Sequence, residues 1–426
     1  MLARYIGGKT SILDPLVGTI ADHAASGDHV VDAFSGSLSV SMALKSNGFR
    51  VTANDINLFS AVFADAYLLP SEPPDPDLGS LIPAKAAREV ASAVRDQVDG
   101  LRGTPGFGFL DDAAWRGRYA AYLTLLRYLE TFDGSNLPAN MRASHFYDTY
   151  CEEGRNSAFV SSRGTSGRRR FFSPQNAARV DLIENQIRAW AQGGSLDAQT
   201  QALLLSGLVR AVECVANTQG TFHDFIRTGW DSRALNPLRF DPPPLDGVIA
   251  GPGGHAAGRE RDTLDFIQEV GEHAVLYLDP PYNFRQYSAY YFLPNVLCRY
   301  PEMDDPADYF AGVRFVRGQN PDDDFTSTFC KASRFIEDMR TLIGRAKCQT
   351  VVISYYNGAN HWGSFDSEPN NAGRERLTEL LSGDMFEAGS QQVVEVSRRN
   401  YASYGGYTAR GVTELLLVAD KRALRT

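Results

Sequence analysis

The sequence lacks the cysteine spacing of a metal site or a disulfide framework. Its cysteines are scattered, and no C-x-x-C pair occurs among Cys151, Cys214, Cys298, Cys330 and Cys348. The seven histidines show no ligand spacing either. An odd number of scattered cysteines is typical of reduced thiols, so we expect neither a metal site nor a disulfide.

Long apolar runs are also missing. No stretch of about 18 apolar residues occurs, so no membrane-spanning helix is expected. Residues 1–8 contain no basic region followed by an apolar core, which disfavours a secretory signal. We therefore expect a cytoplasmic protein. With 426 residues, 43% of them hydrophobic, the chain can bury a substantial core in one large or two moderate domains.

Two glycine-rich fingerprints of nucleotide-binding proteins are absent. Residues 4–9 read RYIGGK and resemble the end of a P-loop, but the first glycine of that motif would fall on Ala3, where no strand can precede it. No G-x-G-x-x-G segment occurs, which disfavours NAD and FAD.

Positive charge is scarce overall but locally concentrated. The formal net charge is −9, which taken alone disfavours nucleic acid as a partner. Residues 155–180 nevertheless contain six arginines and no acidic residue. Because docking depends on the local charge of a face, this segment keeps nucleic acid among the expected partners.

A βαβ unit is predicted near the start of the chain. Residues 29–34 form an apolar strand, residues 38–45 a helix, and residues 51–53 a second strand, with Asp55 at its tip. In Rossmann-like sites, an acid at this place accepts hydrogen bonds from both hydroxyls of a ribose.

The most informative stretch begins at residue 274. Residues 274–278 are apolar and predict a buried strand of a parallel sheet, which ends at Asp279. Pro280 and Pro281 then hold the backbone rigid and provide carbonyls, and Tyr282 adds an aromatic ring. These residues provide hydrogen-bond acceptors for a planar amino group and a ring that can stack on its heterocycle.

This stretch resembles motif IV of the amino-methyltransferases that use S-adenosylmethionine. Its continuation with Asn283, Arg285, Gln286 and Tyr287 is similar to the D12 class of DNA adenine-N6 methyltransferases. The resemblance implies an α/β fold, with a Rossmann-like methyltransferase sheet and a mostly helical inserted target-recognition region. It also implies catalytic roles for Asp279, Pro280, Pro281 and Tyr282.

The resemblance further implies a set of S-adenosylmethionine-binding residues. They are Tyr5 and Lys9 of motif X, with Lys9 near the cofactor's carboxylate, Asp32, Phe34, Ser35 and Gly36 of motif I, the acid Asp55, the motif III acid Asp262, and Asp279. Asp265 is an alternative to Asp262. The class usually has a second loop glycine where this chain has Leu38.

A target-recognition region is expected at residues 71–239, between the parts of a catalytic domain at residues 1–70 and 240–426. We interpret residues 161–172 as a mobile basic loop, because glycines and serines make it mobile, arginines make it basic and two phenylalanines follow directly. The expected contacts to double-stranded DNA are Arg163, Arg168, Arg169, Arg170, Asn217, Arg285 and Tyr287. The loop from Arg398 to Tyr407 is a further DNA-contact candidate.

The predicted function is site-specific methylation of the amino group of a flipped-out adenine in DNA. No cysteine follows a proline, so the Pro-Cys nucleophile of cytosine-C5 methyltransferases is missing. Two alternatives stay open, namely an RNA adenine methyltransferase and a catalytically silent nucleic-acid-binding protein on the same fold. A restriction endonuclease or defence-system partner is also left open.

Overall fold

The computed structural model describes residues 2, 4–356, 360–363, 371–399 and 411–422. The chain divides into two compact units, each assembled from several segments. The sheet unit comprises Tyr5–Ala64, Ala250–Tyr290 and Phe325–Thr426. The helical unit comprises Met1–Arg4, Asp65–Ile249 and Tyr291–Asp324.

The regular elements of the described residues are as follows. The strands are β1 (His29–Asp32), β2 (Arg50–Ala53), β3 (Ala158–Val160), β4 (Ser166–Arg168), β5 (Ala256–Ala257), β6 (His273–Leu278), β7 (Cys348–Tyr356), β8 (Gln392–Arg399) and β9 (Gly411–Asp420). The helices are α1 (Leu13–Ala21), α2 (Ser39–Ser46), α3 (Leu58–Phe63), α4 (Leu78–Leu81), α5 (Ala84–Leu101), α6 (Ala113–Thr131), α7 (His145–Tyr150), α8 (Pro174–Gln192), α9 (Ala198–Val215), α10 (Asp246–Ile249), α11 (Thr263–Glu269), α12 (Tyr287–Tyr290), α13 (Phe292–Arg299), α14 (Pro306–Ala311), α15 (Phe335–Arg345) and α16 (Ala372–Leu381).

The sheet unit contains one sheet with the strand order β5-β2-β1-β6-β7-β9-β8. The strands from β5 to β7 are parallel, and β9 runs antiparallel to both β7 and β8. The chain passes from β1 to β2 on one side and places β6 on the other side of β1. This reversal makes a crevice at the carboxyl ends of β1 and β6, where open α/β sheets bind ligands.

The core of the sheet unit lies between this sheet and its helices. All six residues of β6 are buried, because a central parallel strand is covered on both faces. Helix α15 contributes Phe335, Met339, Leu342 and Ile343, whose spacing places them on one face. The core also includes residues of α11, α16 and β9, so the antiparallel strands share the core of the parallel ones.

The helical unit is built from long helices with defined starts. Ser173 accepts a hydrogen bond from the backbone N–H of Asn176 at the start of α8, and Pro174 occupies the first helical position. Asp112 and Asp197 cap α6 and α9 in the same way. The antiparallel pair of β3 and β4 forms a separate short hairpin in this unit.

Several predictions from the sequence are confirmed. The fold is α/β, with a seven-stranded, mostly parallel sheet among the described residues. The predicted strands at residues 29–34, 51–53 and 274–278 correspond to β1, β2 and β6. The sequence also predicts strands at residues 393–396 and 414–418 that could close the sheet as an antiparallel hairpin, and these lie in the antiparallel pair β8 and β9. The sequence also predicts an amphipathic helix over residues 329–343, and the start of that prediction is wrong. Residues 328–330 form a 3₁₀ turn, held by a Cys330 Sγ–H bond to the carbonyl of Arg285, and α15 begins at Phe335.

The limits expected at residues 70 and 240 separate a catalytic domain from a target-recognition region, and this division by function stays a prediction. The compact units change over after Ala64 and after Ile249, and Tyr291–Asp324 belongs to the helical unit. Among the described residues, no helix combines the length and apolar composition needed to cross a membrane.

Candidate active site

The sheet unit contains a cleft beyond the carboxyl ends of β1, β2 and β6. It encloses about 700 Å³, including space that is open to solvent. The lining residues are Tyr5, Ile6, Phe34, Asp55, Ile56, Asp262, Thr263, Asp279, Pro280, Pro281, Tyr282, Gln286, Tyr287, Ser288, Phe325, Ser327 and Phe329. Six segments that are separate in the sequence therefore meet at one surface.

The loop after β6 carries the Asp-Pro-Pro-Tyr stretch into this cleft. Asp279 is the first residue after β6, and two hydrogen bonds from backbone N–H groups to side-chain oxygens hold the turn that follows. The N–H of Arg285 donates to Asn283 Oδ1 at 3.0 Å, and the N–H of Ser327 donates to Gln286 Oε1 at 2.8 Å. The side chain of Asn283 is itself buried, so the turn is fixed from within the protein.

Tyr282 lines the cleft with a ring that is largely buried. Its centroid lies 5.6 Å from that of Tyr356 and 6.1 Å from that of Tyr355. These two tyrosines come from the end of β7 and support the Tyr282 ring from the protein side. A supported aromatic ring at a cleft is suited to stack on a planar ligand.

Asp279 belongs to a buried charge cluster. Its other members are Lys9, Glu414 and Arg398, which lie on the protein side of the Asp279 carboxylate. Lys9 Nζ is 2.8 Å from Asp279 Oδ1 and 2.7 Å from Glu414 Oε1. Arg398 Nε donates to Glu414 Oε2 at 2.9 Å. The Lys9–Asp279 contact is an ion pair rather than a well-directed hydrogen bond. Two cations and two carboxylates balance each other in this cluster.

Burial and these neighbours set the pKa values of the cluster. Burial raises the pKa of Asp279 to about 6, although Lys9 opposes the shift. Burial alone would lower the pKa of Lys9, but the carboxylates of Asp279 and Glu414 outweigh it and raise that pKa. Burial opposes the ionised form of Glu414, and the charges of Lys9 and Arg398 nevertheless hold its pKa low.

The other end of the cleft is built from β1 and β2. Asp55, just after β2, accepts hydrogen bonds from the N–H of Gly36 at 2.9 Å and from the N–H and side-chain amide of Asn57. Phe34 packs edge-on against Phe329, with ring centroids 5.1 Å apart. An acid with a fixed orientation beside an aromatic ring is the arrangement expected for a ribose-bearing ligand.

The remaining predicted motif I residues support this surface from behind. Ser35 Oγ donates to the carbonyl of Asn54 and ties the β1 loop to the end of β2. Asp32 is buried and accepts a hydrogen bond from Ser41 Oγ of α2 at 2.6 Å. Burial raises the pKa of Asp32 to about 7. Asp32 therefore joins β1 to α2, and the sequence pattern alone did not distinguish this role from ligand contact.

The loop residue Leu38 keeps the backbone conformation that a glycine would favour. Its φ is 69° and its ψ is 8°, in the left-handed region, and its side chain is fully buried. Helix α2 begins directly after it. The departure from the glycine of the D12 class thus leaves a left-handed turn in place, at a conformational cost of about 1–2 kcal/mol.

Asp262 lines the cleft, whereas Asp265 is exposed on α11. Asp262 Oδ1 also accepts from the N–H of Leu264 at 2.8 Å and caps α11. Of the two acids that the sequence left open, Asp262 is therefore the one placed to reach a ligand in the cleft. The predicted Lys9 contact to the cofactor's carboxylate is not supported, because Lys9 Nζ is buried between Asp279 and Glu414.

Comparisons with known proteins agree with this geometry. The family model described as "D12 class N6 adenine-specific DNA methyltransferase" matches residues 5–81. The resemblance to the D12 class is confirmed.

Three curated relatives extend the similarity over most of the chain. The type II methyltransferase M.NlaIII of Neisseria lactamica is 26% identical over 357 residues, which cover 83% of this chain and 83% of the relative. The type II methyltransferase M.FokI of Planomicrobium okeanokoites is 24% identical, over 83% of this chain and 44% of the relative. The modification methylase StsI of Streptococcus sanguinis is 23% identical, over 98% of this chain and 52% of the relative. The chain thus spans about half the length of the last two.

The candidate DNA-contact residues of the D12-class pattern fall into two groups. Residues 161–172 were expected to be a mobile loop, but they include β4 of the short hairpin. Arg163 and Arg168 are exposed on this hairpin, and Arg168 Nη1 also donates to the carbonyls of Glu152 and Gly154. Arg170 is half-buried and donates to Glu152 Oε2 at 2.7 Å. The exposed pair keeps its proposed role in DNA contact.

The second group makes internal contacts. The guanidinium of Arg169 is buried and donates to the carbonyls of Asn156, Phe315 and Val316. Asn217 is buried too, and its amide bonds the carbonyl of Arg170 and the N–H of Asp231. DNA contact by Arg169 or Asn217 is therefore not supported. Both residues serve instead to hold the helical unit together.

Two predicted DNA-contact residues follow motif IV. Tyr287 lines the cleft, and its ring centroid lies 5.8 Å from that of Tyr5. Arg285 is half-buried in the turn after Tyr282. Arg398, which was expected in a DNA-contacting loop, lies instead in β8 and pairs with Glu414. Residues 400–410 of that loop lie outside the described residues.

Glu414 is the site residue that sequence reasoning missed. The predicted strand at residues 414–418 included it, and the available signal was a carboxylate followed directly by five apolar residues. Among the described residues, no group of three or more His, Cys, Asp or Glu side chains is arranged to hold a metal ion.

Proposed function

We propose that the protein is a site-specific DNA methyltransferase that transfers a methyl group from S-adenosylmethionine to N6 of adenine. The observation that carries this proposal is that Asp279, Pro280 and Tyr282 line the same cleft as Asp55 and Asp262. Acceptors for an amino group, Asp279 and Pro280, and an acid suited to a ribose, Asp55, therefore line one cleft. The relatives are named type II methyltransferases and a modification methylase, and these names support our proposal that the protein acts in restriction–modification.

The cleft fits S-adenosylmethionine by the chemistry of its donors and surfaces. Asp55 would hold the ribose hydroxyls, Asp262 the adenine amino group of the cofactor, and Phe34 and Tyr5 its apolar faces. When bound, the cofactor supplies an electrophilic methyl group carried on a sulfonium. Asp55 is buried, and its carboxylate accepts hydrogen bonds from the N–H groups of Gly36 and Asn57. These bonds make it an oriented acceptor rather than a freely rotating one.

Asp279 and Pro280 act on the target adenine. Because this amino group is buried in the base stack of a duplex, the nucleotide must be flipped out before it can enter the cleft. Asp279 Oδ2 and the Pro280 carbonyl each accept a hydrogen bond from the amino group. This arrangement directs the nitrogen lone pair and raises its electron density. Catalysis then depends on positioning and electrostatics, without a covalent enzyme intermediate.

Tyr282 holds the ring of the flipped adenine by stacking. Tyr355 and Tyr356 prevent the phenol ring from turning away, so the base meets a preformed surface. Arg163 and Arg168, on the exposed hairpin of the helical unit, contact DNA phosphates, and their contribution depends on salt concentration.

The decisive experiment identifies the methylated base. Mixed-sequence duplex DNA is incubated with the protein and labelled S-adenosylmethionine, digested to nucleosides and separated by mass spectrometry. We expect label in N6-methyladenine, and none with Asp279→Ala. Label in N4-methylcytosine or 5-methylcytosine would contradict the proposal. Label that appears only when RNA replaces DNA would favour an RNA adenine methyltransferase instead.

A further inference from the structure

Glu414 is a fully buried carboxylate in an otherwise apolar part of β9. The residues that follow it, Leu415 to Ala419, are also buried. A buried charge is costly unless it is paired and hydrogen-bonded. Glu414 satisfies this condition, because Oε1 accepts from Lys9 Nζ and from Ser354 Oγ at 2.8 Å, and Oε2 accepts from Arg398 Nε.

Lys9 connects Glu414 to the reacting carboxylate. Its side chain is only 2% exposed, and its Nζ lies between Glu414 Oε1 and Asp279 Oδ1. Glu414 is 405 residues from Lys9 in the sequence, so only the closed fold brings the pair together. The ammonium group cannot leave Asp279 for solvent while Glu414 holds it from the other side.

The cluster distinguishes the two oxygens of Asp279. Oδ1 is buried and lies against Lys9, whereas the side chain as a whole is 18% exposed. The exposed part therefore does not include Oδ1, which leaves Oδ2 as the oxygen available to a ligand in the cleft. A fixed Oδ1 orients the carboxylate plane and hence the direction in which Oδ2 accepts.

Glu414 also divides the charge of Lys9 between two carboxylates. Without Glu414, the whole ammonium charge would act on Asp279, and Arg398 would add a further cation nearby. A carboxylate that faces uncompensated positive charge is a weaker acceptor for a neutral amino group, because its electron density is drawn towards the cations. The other titratable groups that act on Asp279 or respond to its charge are Tyr277, Asp32 and Tyr282.

We propose that Glu414 is a positioning residue of the methyl-transfer reaction, which holds Lys9 against Oδ1 of Asp279 so that Oδ2 faces the target amino group as a full-strength acceptor. The inference rests on the proposed function. Glu414 itself contacts neither the substrate nor the cofactor, and it acts through Lys9. Its effect should therefore depend on the presence of the Lys9 ammonium group.

The test is a double-mutant cycle of Glu414→Gln and Lys9→Met, measured by methylation of duplex DNA. We expect each single variant to lower kcat roughly tenfold or more, with KM for DNA changed far less. The double variant should be no slower than Lys9→Met alone, because the two residues act in series. The acid limb of the kcat–pH profile should move to lower pH in Glu414→Gln, because the negative charge that disfavours ionisation of Asp279 is gone.

Glu395→Gln is the matched control. Glu395 lies on the neighbouring strand β8, is about half exposed and pairs with Arg374 on the surface. The same change of carboxylate to amide should leave kcat and its pH profile unaltered there. Fully additive losses in the cycle, or an unmoved acid limb in Glu414→Gln, would overturn the proposal.

Two features keep the outcome decisive. Glu414→Gln alone removes one negative charge and leaves both cations of the cluster, so it could fail to fold. The double variant removes one cation and one carboxylate together and keeps the charges balanced. Its kcat is then compared with that of Lys9→Met. A double variant slower than Lys9→Met then contradicts the inference. Failure of the proposed function is recognised separately, since the wild-type protein would methylate no adenine in any duplex.

Discussion

The side chain of Tyr5 lies directly against Gly36, so closely that a Cβ at Gly36 would come within 2.7 Å of two ring carbons and the hydroxyl oxygen of Tyr5. Gly36 has a φ of 49°, and its N–H donates to Asp55 Oδ2. One glycine therefore allows the aromatic side chain from the start of the chain to reach the loop after β1. Without the close approach, Tyr5 could not line the same cleft as Asp55.

Gly36→Ala should accordingly weaken both folding and cofactor binding. The added methyl must displace the Tyr5 ring, and overpacking of this kind costs about 1–3 kcal/mol of unfolding free energy. Chemical denaturation and calorimetric titration with S-adenosylmethionine measure the two effects. Gly18→Ala on α1 is the control, because the new Cβ there meets nothing within 4 Å apart from its chain neighbours and the backbone of its own helix. Unchanged cofactor affinity in Gly36→Ala would show that Tyr5 is not a cofactor contact.

Tyr282→Ala should lose methylation while it still binds S-adenosylmethionine. Stacking contributes roughly 1–3 kcal/mol per base, so the loss of stacking on the target adenine should lower kcat/KM by about 5- to 150-fold. Tyr282→Phe keeps the ring and should keep most of the activity. Asp55→Ala should show the opposite pattern, with cofactor affinity lost. A Tyr282→Ala variant that binds cofactor as poorly as Asp55→Ala contradicts the assignment.

Whether a residue's role could be predicted depends on how far apart in the sequence its contacts lie. Asp279, Tyr282 and Asp55 could be predicted because each belongs to a short segment whose local pattern specifies its position. The contacts of Lys9 and Arg169 could not, because their partners are 405 and 146 residues away in sequence. For the same reason the sequence predicted that Arg168, Arg169 and Arg170 could all contact DNA. In the structure, the guanidinium of Arg169 is buried and donates to the carbonyls of Phe315 and Val316.

Arg163→Ala combined with Arg168→Ala should weaken DNA binding and its salt dependence. Each lost phosphate contact lowers the magnitude of the log–log slope by roughly 0.9. Titration of labelled duplex DNA at several salt concentrations measures the slope, and Arg95→Ala on α5 is an exposed control in the same unit. Arg169→Ala should instead reduce thermal stability, because three carbonyls lose their buried donor. An unaltered slope in the double variant would place the DNA-contacting surface elsewhere.

Methylation should fall as the pH decreases through about 6, where Asp279 takes up a proton. Protonation turns the acceptor oxygen into a hydroxyl and removes a bond to the amino group. In the limiting case, kcat falls about tenfold for each further pH unit. Burial places the folded-state pKa of Asp279 above its unfolded value, so protonation of this group favours the folded state as the pH falls. The loss of activity near pH 6 should therefore occur without unfolding, which circular dichroism at each pH would check.

Leu38 gives an unusual prediction about the order of two substitutions. Alanine is normally more stable than glycine in a helix by about 1 kcal/mol, and this order should hold for Leu44 within α2. At Leu38 the left-handed φ of 69° reverses the expectation, because alanine retains the strain and glycine relieves it. Leu38→Ala and Leu38→Gly both lose the buried leucine side chain, so both should be less stable than the wild type. For Leu38→Ala, the loss of unfolding free energy should be about 2–5 kcal/mol. Denaturation should then show Leu38→Gly to be more stable than Leu38→Ala by about 1 kcal/mol, while Leu44→Ala is more stable than Leu44→Gly. If Leu38→Ala were the more stable of its pair, the loop would not hold a left-handed residue in solution, and the start of α2 would differ from the one described.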